Sequence, residues 1–171
     1  MSATVDQHRA AAPQSVPCAV LTVSDTRTLE TDRGGGLLVE LLTAAGHVVV
    51  ERQLVQDEPT AMRPLLEAWI ANPAIAAILI TGGTGISPRD QTYETVRDLL
   101  TKELPGYGEL FRQLSYAQIG AAAMLSRAVG GLADRTVVLT MPGSPHAVKL
   151  ALEQVILPEL GHLVREAGRV D

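Results

Sequence analysis

The residues with the most chemical potential fall in four short polar stretches, each directly after an apolar run. Thr81-Gly82-Gly83-Thr84-Gly85 is the richest in glycine. Glycines at such a place accept positive φ and let a ligand come close to the backbone, leaving amide N–H groups free for phosphate oxygens. The run is not a dinucleotide fingerprint, because counting from Gly83 puts Pro88 where the third glycine belongs, and no Gly-Lys-Ser/Thr follows as in a P-loop. A purely structural turn accounts for it equally well. Ser87-Pro88-Arg89-Asp90 continues from it. Arg89 offers a guanidinium to phosphate, and Asp90 offers a carboxylate to Mg²⁺ or to a substrate hydroxyl or amine. The same spacing suits Asp90 as the N-cap of a following helix.

Ser24-Asp25-Thr26-Arg27 supplies hydroxyls, a carboxylate and a cation, or simply a polar turn. Asp57-Glu58-Pro59 is similar in kind, and Pro59 in a first helical turn makes Asp57 an N-cap candidate. In Met141-Pro142-Gly143-Ser144-Pro145-His146, Ser144 reads as an N-cap with Pro145 at the first helical position, a helix start beside a glycine that suits an anion. Lys149 stands one turn further on, facing the same anion or solvent. His8, His47, His146 and His162 are too scattered for metal-ligand spacing, and no serine or cysteine nucleophile is matched with a base.

These stretches need a frame that brings them together. The pattern predicts a strand at Ala19–Val23, a Gly-led helix over Leu37–Ala45, a strand at Val48–Leu54, a helix from Thr60 to Ala71, and a strand at Ile75–Thr81. Thr92–Leu100 reads as helix, Leu104–Gly108 as loop, and Glu109–Ala117 and Ile119–Arg127 as helices. A strand at Thr136–Thr140, pairing with Val129–Ala133 across the turn at Asp134-Arg135, precedes a helical region to Ala167 that Pro158 kinks or restarts. Alternating strands and helices imply a three-layer α/β/α domain with a mostly parallel open sheet. Ligands bind such sheets at the carboxyl ends of the strands, which is where all four polar stretches fall. Together they suit two phosphate-bearing ligands and nucleotidyl transfer by positioning and charge neutralisation.

The 171 residues fit one core, with residues 1–16 expected as a flexible tail and 17–171 as a single domain. A net charge of −5 without a basic cluster argues against nucleic acid. The opening residues lack a signal-peptide pattern, and no apolar run is long enough for a membrane span, so a soluble cytoplasmic protein is expected. With 46% hydrophobic but only 3% aromatic residues, the core must be aliphatic, and leftover apolar surface points to an oligomer. Cys18 is the single cysteine and reads as a small buried hydrophobe.

From Cys18 to Ala167 the chain resembles the MoaB/MogA family of molybdenum cofactor biosynthesis proteins. The resemblance rests on Leu-Thr-Val-Ser-Asp (21–25), Asp-Glu (57–58), Thr-Gly-Gly-Thr-Gly…Arg-Asp…Thr (81–92), Pro-Gly-Tyr-Gly-Glu (105–109), Leu-Ser-Arg (125–127) and Met-Pro-Gly-Ser-Pro (141–145) in this order. It implies Mg²⁺- and ATP-dependent adenylation of molybdopterin, with Asp57 and Asp90 as the catalytic, Mg²⁺-binding carboxylates. It places Gly82, Gly83, Thr84 and Gly85 in one ligand loop, Pro142, Gly143 and Ser144 in a second, and Glu109 and Ser115 along the same cleft. Ser24, Asp25, Thr81 and Arg89 complete the expected binding set. Ser-Asp-Thr-Arg (24–27) and the 29–35 stretch look closer to the MoaB branch, whose trimers pair into hexamers and whose members also suit a non-catalytic pterin carrier. A nucleotide pyrophosphatase is a more distant alternative, and other proteins of cofactor biosynthesis are possible partners.

Overall fold

The computed structural model describes residues 11–169. Six strands form one sheet in the order β2-β1-β3-β6-β5-β4. They are β1 (Pro17–Val23), β2 (Val48–Val55), β3 (Ala77–Thr81), β4 (Lys102–Glu103), β5 (Gly130–Ala133) and β6 (Thr136–Met141). The first four in spatial order are parallel, whereas β5 runs antiparallel to both β6 and β4. The helices are α1 (Arg33–Ala44), α2 (Pro59–Ile70), α3 (Thr92–Arg97), α4 (Pro105–Ile119), α5 (Pro145–Ala151) and α6 (Leu160–Ala167).

Strand side chains alternate between faces, so a sheet covered on both sides needs continuous apolar strands. β3 and β6 are buried throughout. Cys18, Val20, Leu79 and Leu139 point into a core closed by Leu38, Phe111, Val148 and Leu160, whereas Leu21, Ile78, Ile80 and Val138 enter a second core with Met62, Leu66, Trp69 and Val96. The result is the three-layer α/β/α arrangement expected from the alternation. Cys18 is fully buried in the first core, and burial pushes its thiol pKa up to about 12.

Three local expectations are corrected. Leu104–Gly108 is not a loop: Pro105 occupies the start of α4, where its missing N–H leaves no bond unmade, and the buried Tyr107 hydroxyl donates to Thr140 O at 2.8 Å. Ile119–Arg127 is not an α-helix, because Gly120 at φ +62° ends α4 and a 3-10 segment, Gly120–Leu125, follows. α3 ends at Arg97, and the two residues of β4 beyond it were too short to read as a strand. Near Pro158 the closing helical region does break, through a π-type turn at Leu152–Ile156 before α6. Residues 1–10 of the segment read as a tail lie outside the described residues. Val16, at its other end, is fully buried, with its amide donating to His47 Nδ1 at 3.2 Å.

The start of α1 explains its run of glycines. Asp32 caps the helix, its buried carboxylate accepting from Gly35 N (2.9 Å), Thr22 Oγ1 (2.6 Å) and Arg52 Nη2 (3.1 Å). A Cβ on Gly35 would lie 2.2 Å from Asp32 Oδ2. Burial alone would raise the Asp32 pKa, but the bonds from Thr22, Gly35 and Arg52 outweigh it and hold the group below its ordinary value. The stabilisation is therefore present above the unfolded carboxyl pKa of about 3.9 and is lost as pH falls through the lower folded value. Asp32→Ala should lower unfolding free energy by about 3 kcal/mol at pH 7, since it removes a cap and leaves Arg52 without its buried partner. Urea titrations should show that deficit shrinking at pH 3; an equal deficit at both pH values would contradict the role given to the charge.

Candidate functional site

The chain passes from β1 to β2 on one side and then returns to place β3 on the other. This makes the β1/β3 boundary the switch point where connections diverge and a crevice opens at the carboxyl ends. The loops after β1, β2, β3 and β6 meet there.

Gly82 closes the space between strand ends. It has φ +103°, a Cβ on it would lie 2.1 Å from Val23 O, and its amide donates to Met141 O at 3.0 Å. Thr81 is fully buried, and its hydroxyl donates to Pro142 O at 3.1 Å, fastening the loops after β3 and β6 together. Gly83, at φ +64°, sits against the carboxylate of the β2 loop: a Cβ there would be 2.4 Å from Asp57 Oδ2 and 2.1 Å from Thr92 Oγ1.

Asp57 is buried, and it does not cap α2; Glu58 holds that position without a side-chain cap. The Asp57 carboxylate instead accepts from Gln91 N through Oδ1 at 3.0 Å, and the Asp57 amide donates to Asp25 Oδ1 at 3.0 Å. Burial is the main cause that raises its pKa; the Gln91 N–H and Arg89 oppose it, the neighbouring charges of Asp90 and Asp25 add to it, and the group stays above its ordinary value. Asp90 does not cap α3 either, since Gln91 is at that position; Asp90 Oδ2 accepts from Ser87 N at 2.7 Å. Arg89 donates from Nε and Nη2 to Asp25 Oδ2 at 3.1 and 2.8 Å and pairs with Glu58. The Arg89 hydrogen bond and then the Asp57 amide hold Asp25 below the usual carboxylate range.

Beside these groups is a cavity of about 340 Å³ lined by Gly83–Gly85, Asp90, Phe111, Ser115 and Pro142–Ser144. Among the described residues, the amide N–H groups of Gly83, Thr84, Gly85, Gly143 and Ser144 donate to no protein acceptor. Ser144 Oγ caps α5 by accepting from Ala147 N at 3.2 Å. Ser24 lies apart from the cavity, its hydroxyl accepting from Thr26 and Arg27 amides within its own turn. Glu109 also lies apart, in a neighbouring cleft of about 440 Å³ with Tyr93 and Arg112. His146 bonds Gln118 at 2.7 Å, and with Lys149 it lines a different depression.

Two contributors, Phe111 and Ser126, had no assigned role in the sequence reading, and Arg27 was read only as the cation of its polar stretch. Phe111 and Ser126 line the cavity, Ser126 lining the Glu109 cleft as well. Arg27 holds the second glycine loop by donating to Gly143 O at 2.9 Å. The Leu-Ser-Arg stretch at 125–127 was the available signal for Ser126; nothing in the residues around Phe111 separates it from an ordinary core aromatic.

The family described as probable molybdopterin binding domain matches residues 19–162. The chain belongs to this molybdopterin-binding domain family. Within the family it is 53% identical over 164 residues to molybdenum cofactor biosynthesis protein B of Halalkalibacterium halodurans, covering 95% of this chain and 96% of that one. A crystal structure of a molybdenum cofactor biosynthesis protein B superposes with a TM-score of 0.89 at 49% identity, covering 93% of this chain and 99% of the other. MoaB of Thermus thermophilus, described as a molybdopterin biosynthesis enzyme, gives a TM-score of 0.79 at 36% identity, covering 89% of this chain and 96% of the other. The MoaB/MogA resemblance is thus upheld along nearly the whole described chain.

The raised Asp57 pKa has a consequence for stability. A carboxyl whose folded pKa exceeds its unfolded one opposes folding once pH rises past the unfolded value near 3.9. Asp57→Asn keeps the acceptor for Gln91 N and removes the charge, so it should raise Tm by about 2–4 °C at pH 7. Thermal melts should show the gain vanishing below about pH 4; a lower Tm at pH 7 would mean that the charge stabilises the fold.

Proposed function

We propose that this protein acts in molybdenum cofactor biosynthesis by adenylating molybdopterin. The observation that carries the reading is the set of five unclaimed amides lining one cavity beside Asp90 and next to Asp57. Fixed N–H groups in a crowded site favour the charge that develops on phosphate oxygens and require no reorganisation when it appears. The names of the relatives supply the pterin, and its terminal phosphate is the natural nucleophile. A phosphate oxygen of molybdopterin forms a bond to the α-phosphorus of ATP while the α–β bridging bond breaks, and pyrophosphate departs with the bridging oxygen.

The residues fit Mg²⁺ as an ion brought in with substrate. Asp57 Oδ2 and Asp90 Oδ1 accept no hydrogen bond among the described residues. No group of three or more His, Cys, Asp or Glu there is arranged to hold a metal, so substrate phosphates must complete the shell, as is usual for this ion. Mg²⁺ held by Asp57 and Asp90 would supply offsetting charge at the phosphates. The Gly83–Gly85 and Gly143–Ser144 amides bind and orient the two phosphate chains, and the apolar side of the cavity, with Phe111, limits water.

The protein is assigned to the cytoplasm as a trimer or hexamer, with other cofactor-biosynthesis proteins as possible partners. Supporting an oligomer, an apolar groove of about 650 Å³ opens between α4 and the stretch from Gln154 to Glu159 that precedes α6. Leu110 on its border is 52% exposed. Among the described residues no helix is long and apolar enough to cross a membrane.

The test mixes purified protein with molybdopterin, ATP and Mg²⁺ and follows pyrophosphate and adenylated pterin together. Turnover is expected, falling about 100-fold or more in Asp57→Ala and Asp90→Ala and stopping when EDTA removes Mg²⁺. Tight pterin binding without pyrophosphate release would make the protein a carrier. Pyrophosphate or nucleotide release without pterin would make it a pyrophosphatase.

A further inference from the structure

Arg127 holds the Asp90 loop from its outer side. The Arg127 amide donates to Thr84 O at 2.9 Å. The guanidinium donates from Nε to Gly85 O at 2.6 Å and from Nη2 to Asp90 O at 2.9 Å, and Nη1 pairs with Glu94. It also lies over the Tyr93 ring, 5.1 Å from its centroid. One planar fork therefore brackets the loop at both ends and fixes it to α3.

The bracketed residues are held otherwise at the rim and within the turn: Arg89 is bound by Asp25 and Glu58, the Asp90 amide donates to Ser87 O at 2.9 Å, and Gln91 Nε2 donates to Pro88 O at 2.9 Å. Ile86, Ser87, Pro88 and Arg89 are exposed, Ile86 by 67%. From inside, the Asp90 carboxylate accepts the Ser87 amide. The turn is thus closed by Asp90 within and by Arg127 without, and any drift at the Asp90 peptide moves the carboxylate relative to Asp57. Arg127 does not line the cavity that Asp90 lines; it borders the neighbouring Glu109 cleft.

We propose that Arg127 is a positioning residue that sets the place of the Asp90 carboxylate by clamping the carbonyls of Gly85 and Asp90. A lysine could keep the charge but not the planar fork, whose donors meet two carbonyls and a carboxylate together. The role follows from geometry, not net charge. The catalytic half of its test rests on the adenylation reading; the structural half does not.

The experiment compares the full-length protein with Arg127→Lys and Arg127→Ala by amide hydrogen exchange and by adenylation kinetics. In both variants the Ser87 amide should exchange at least about tenfold faster while β1, β3 and β6 keep their protection. kcat should fall about 10- to 100-fold with KM for pterin and ATP within about threefold of the parent. Lysine restoring parental exchange and turnover would overturn the proposal, because charge alone would suffice. Unchanged Ser87 protection, or protection lost equally across the sheet, would overturn it too. If the parent protein shows no turnover, the adenylation reading fails, and the exchange comparison still decides the role of Arg127.

Discussion

Gly82 has no room for a Cβ. Val23 O stands where that atom would go, and the glycine can only take its φ of +103° because it lacks one. The site depends on this close approach. It lets the chain leaving β3 turn between the ends of β1 and β6, which puts Gly83 against Asp57 and leaves the next amides at a cavity instead of in a sheet ladder. A side chain at either glycine would displace backbone at Gly82 and the Asp57 carboxylate at Gly83. Two of the four polar loops are therefore joined by a contact that works only where a side chain is absent.

Charge is arranged around that contact in two ways. Asp25 and Glu58 face outward and share one cation, Arg89, so only half of the rim's negative charge is compensated before any ligand arrives. Such exposed pairs contribute little to stability and rearrange readily. Asp57, buried and close to Asp90 and Asp25, has no such cation to itself and keeps a raised pKa. An uncompensated carboxylate inside a rim that itself keeps a net negative charge favours an incoming positive charge. This accords with the proposed arrival of phosphate together with a divalent ion, not of phosphate alone.

Much of this was legible in sequence because the same residue types have one physical use at strand ends. The continuous apolar run ending at Thr81 pointed to a strand buried on both faces, and the glycines after it pointed to close approach or to a structural turn; the first followed from hydrophobicity and the second from sterics. The Ser144-Pro145 helix start was equally readable, since capping and the fixed φ of proline are local. What escaped was set by tertiary contact. Asp57 and Asp90 fit the pattern of N-caps, yet Asp57 accepts the distant Gln91 amide and Asp90 turns back onto the Ser87 amide of its own loop. The Pro105–Gly108 stretch looked like loop from its glycines, but Tyr107 buried on Thr140 O, and Gly108 packed near Ala128 O, secure it as helix. Arg89 was read as a phosphate ligand, and only three-dimensional proximity shows that two carboxylates already claim it.

The fold and the site draw on opposite uses of the same chemistry. At Asp32 a buried carboxylate meets a helix amide, a hydroxyl and an arginine, and its ionised form is favoured. At Asp57 a carboxylate of comparable burial meets one amide and two like charges, and its ionised form is disfavoured. Nothing in the intrinsic chemistry of aspartate separates them; the number of donors does. The first group binds its surroundings in the free protein. The second keeps an oxygen unclaimed, so its interactions remain incomplete until something else supplies the missing charge, a difference that distinguishes a residue holding the structure from one held ready by it.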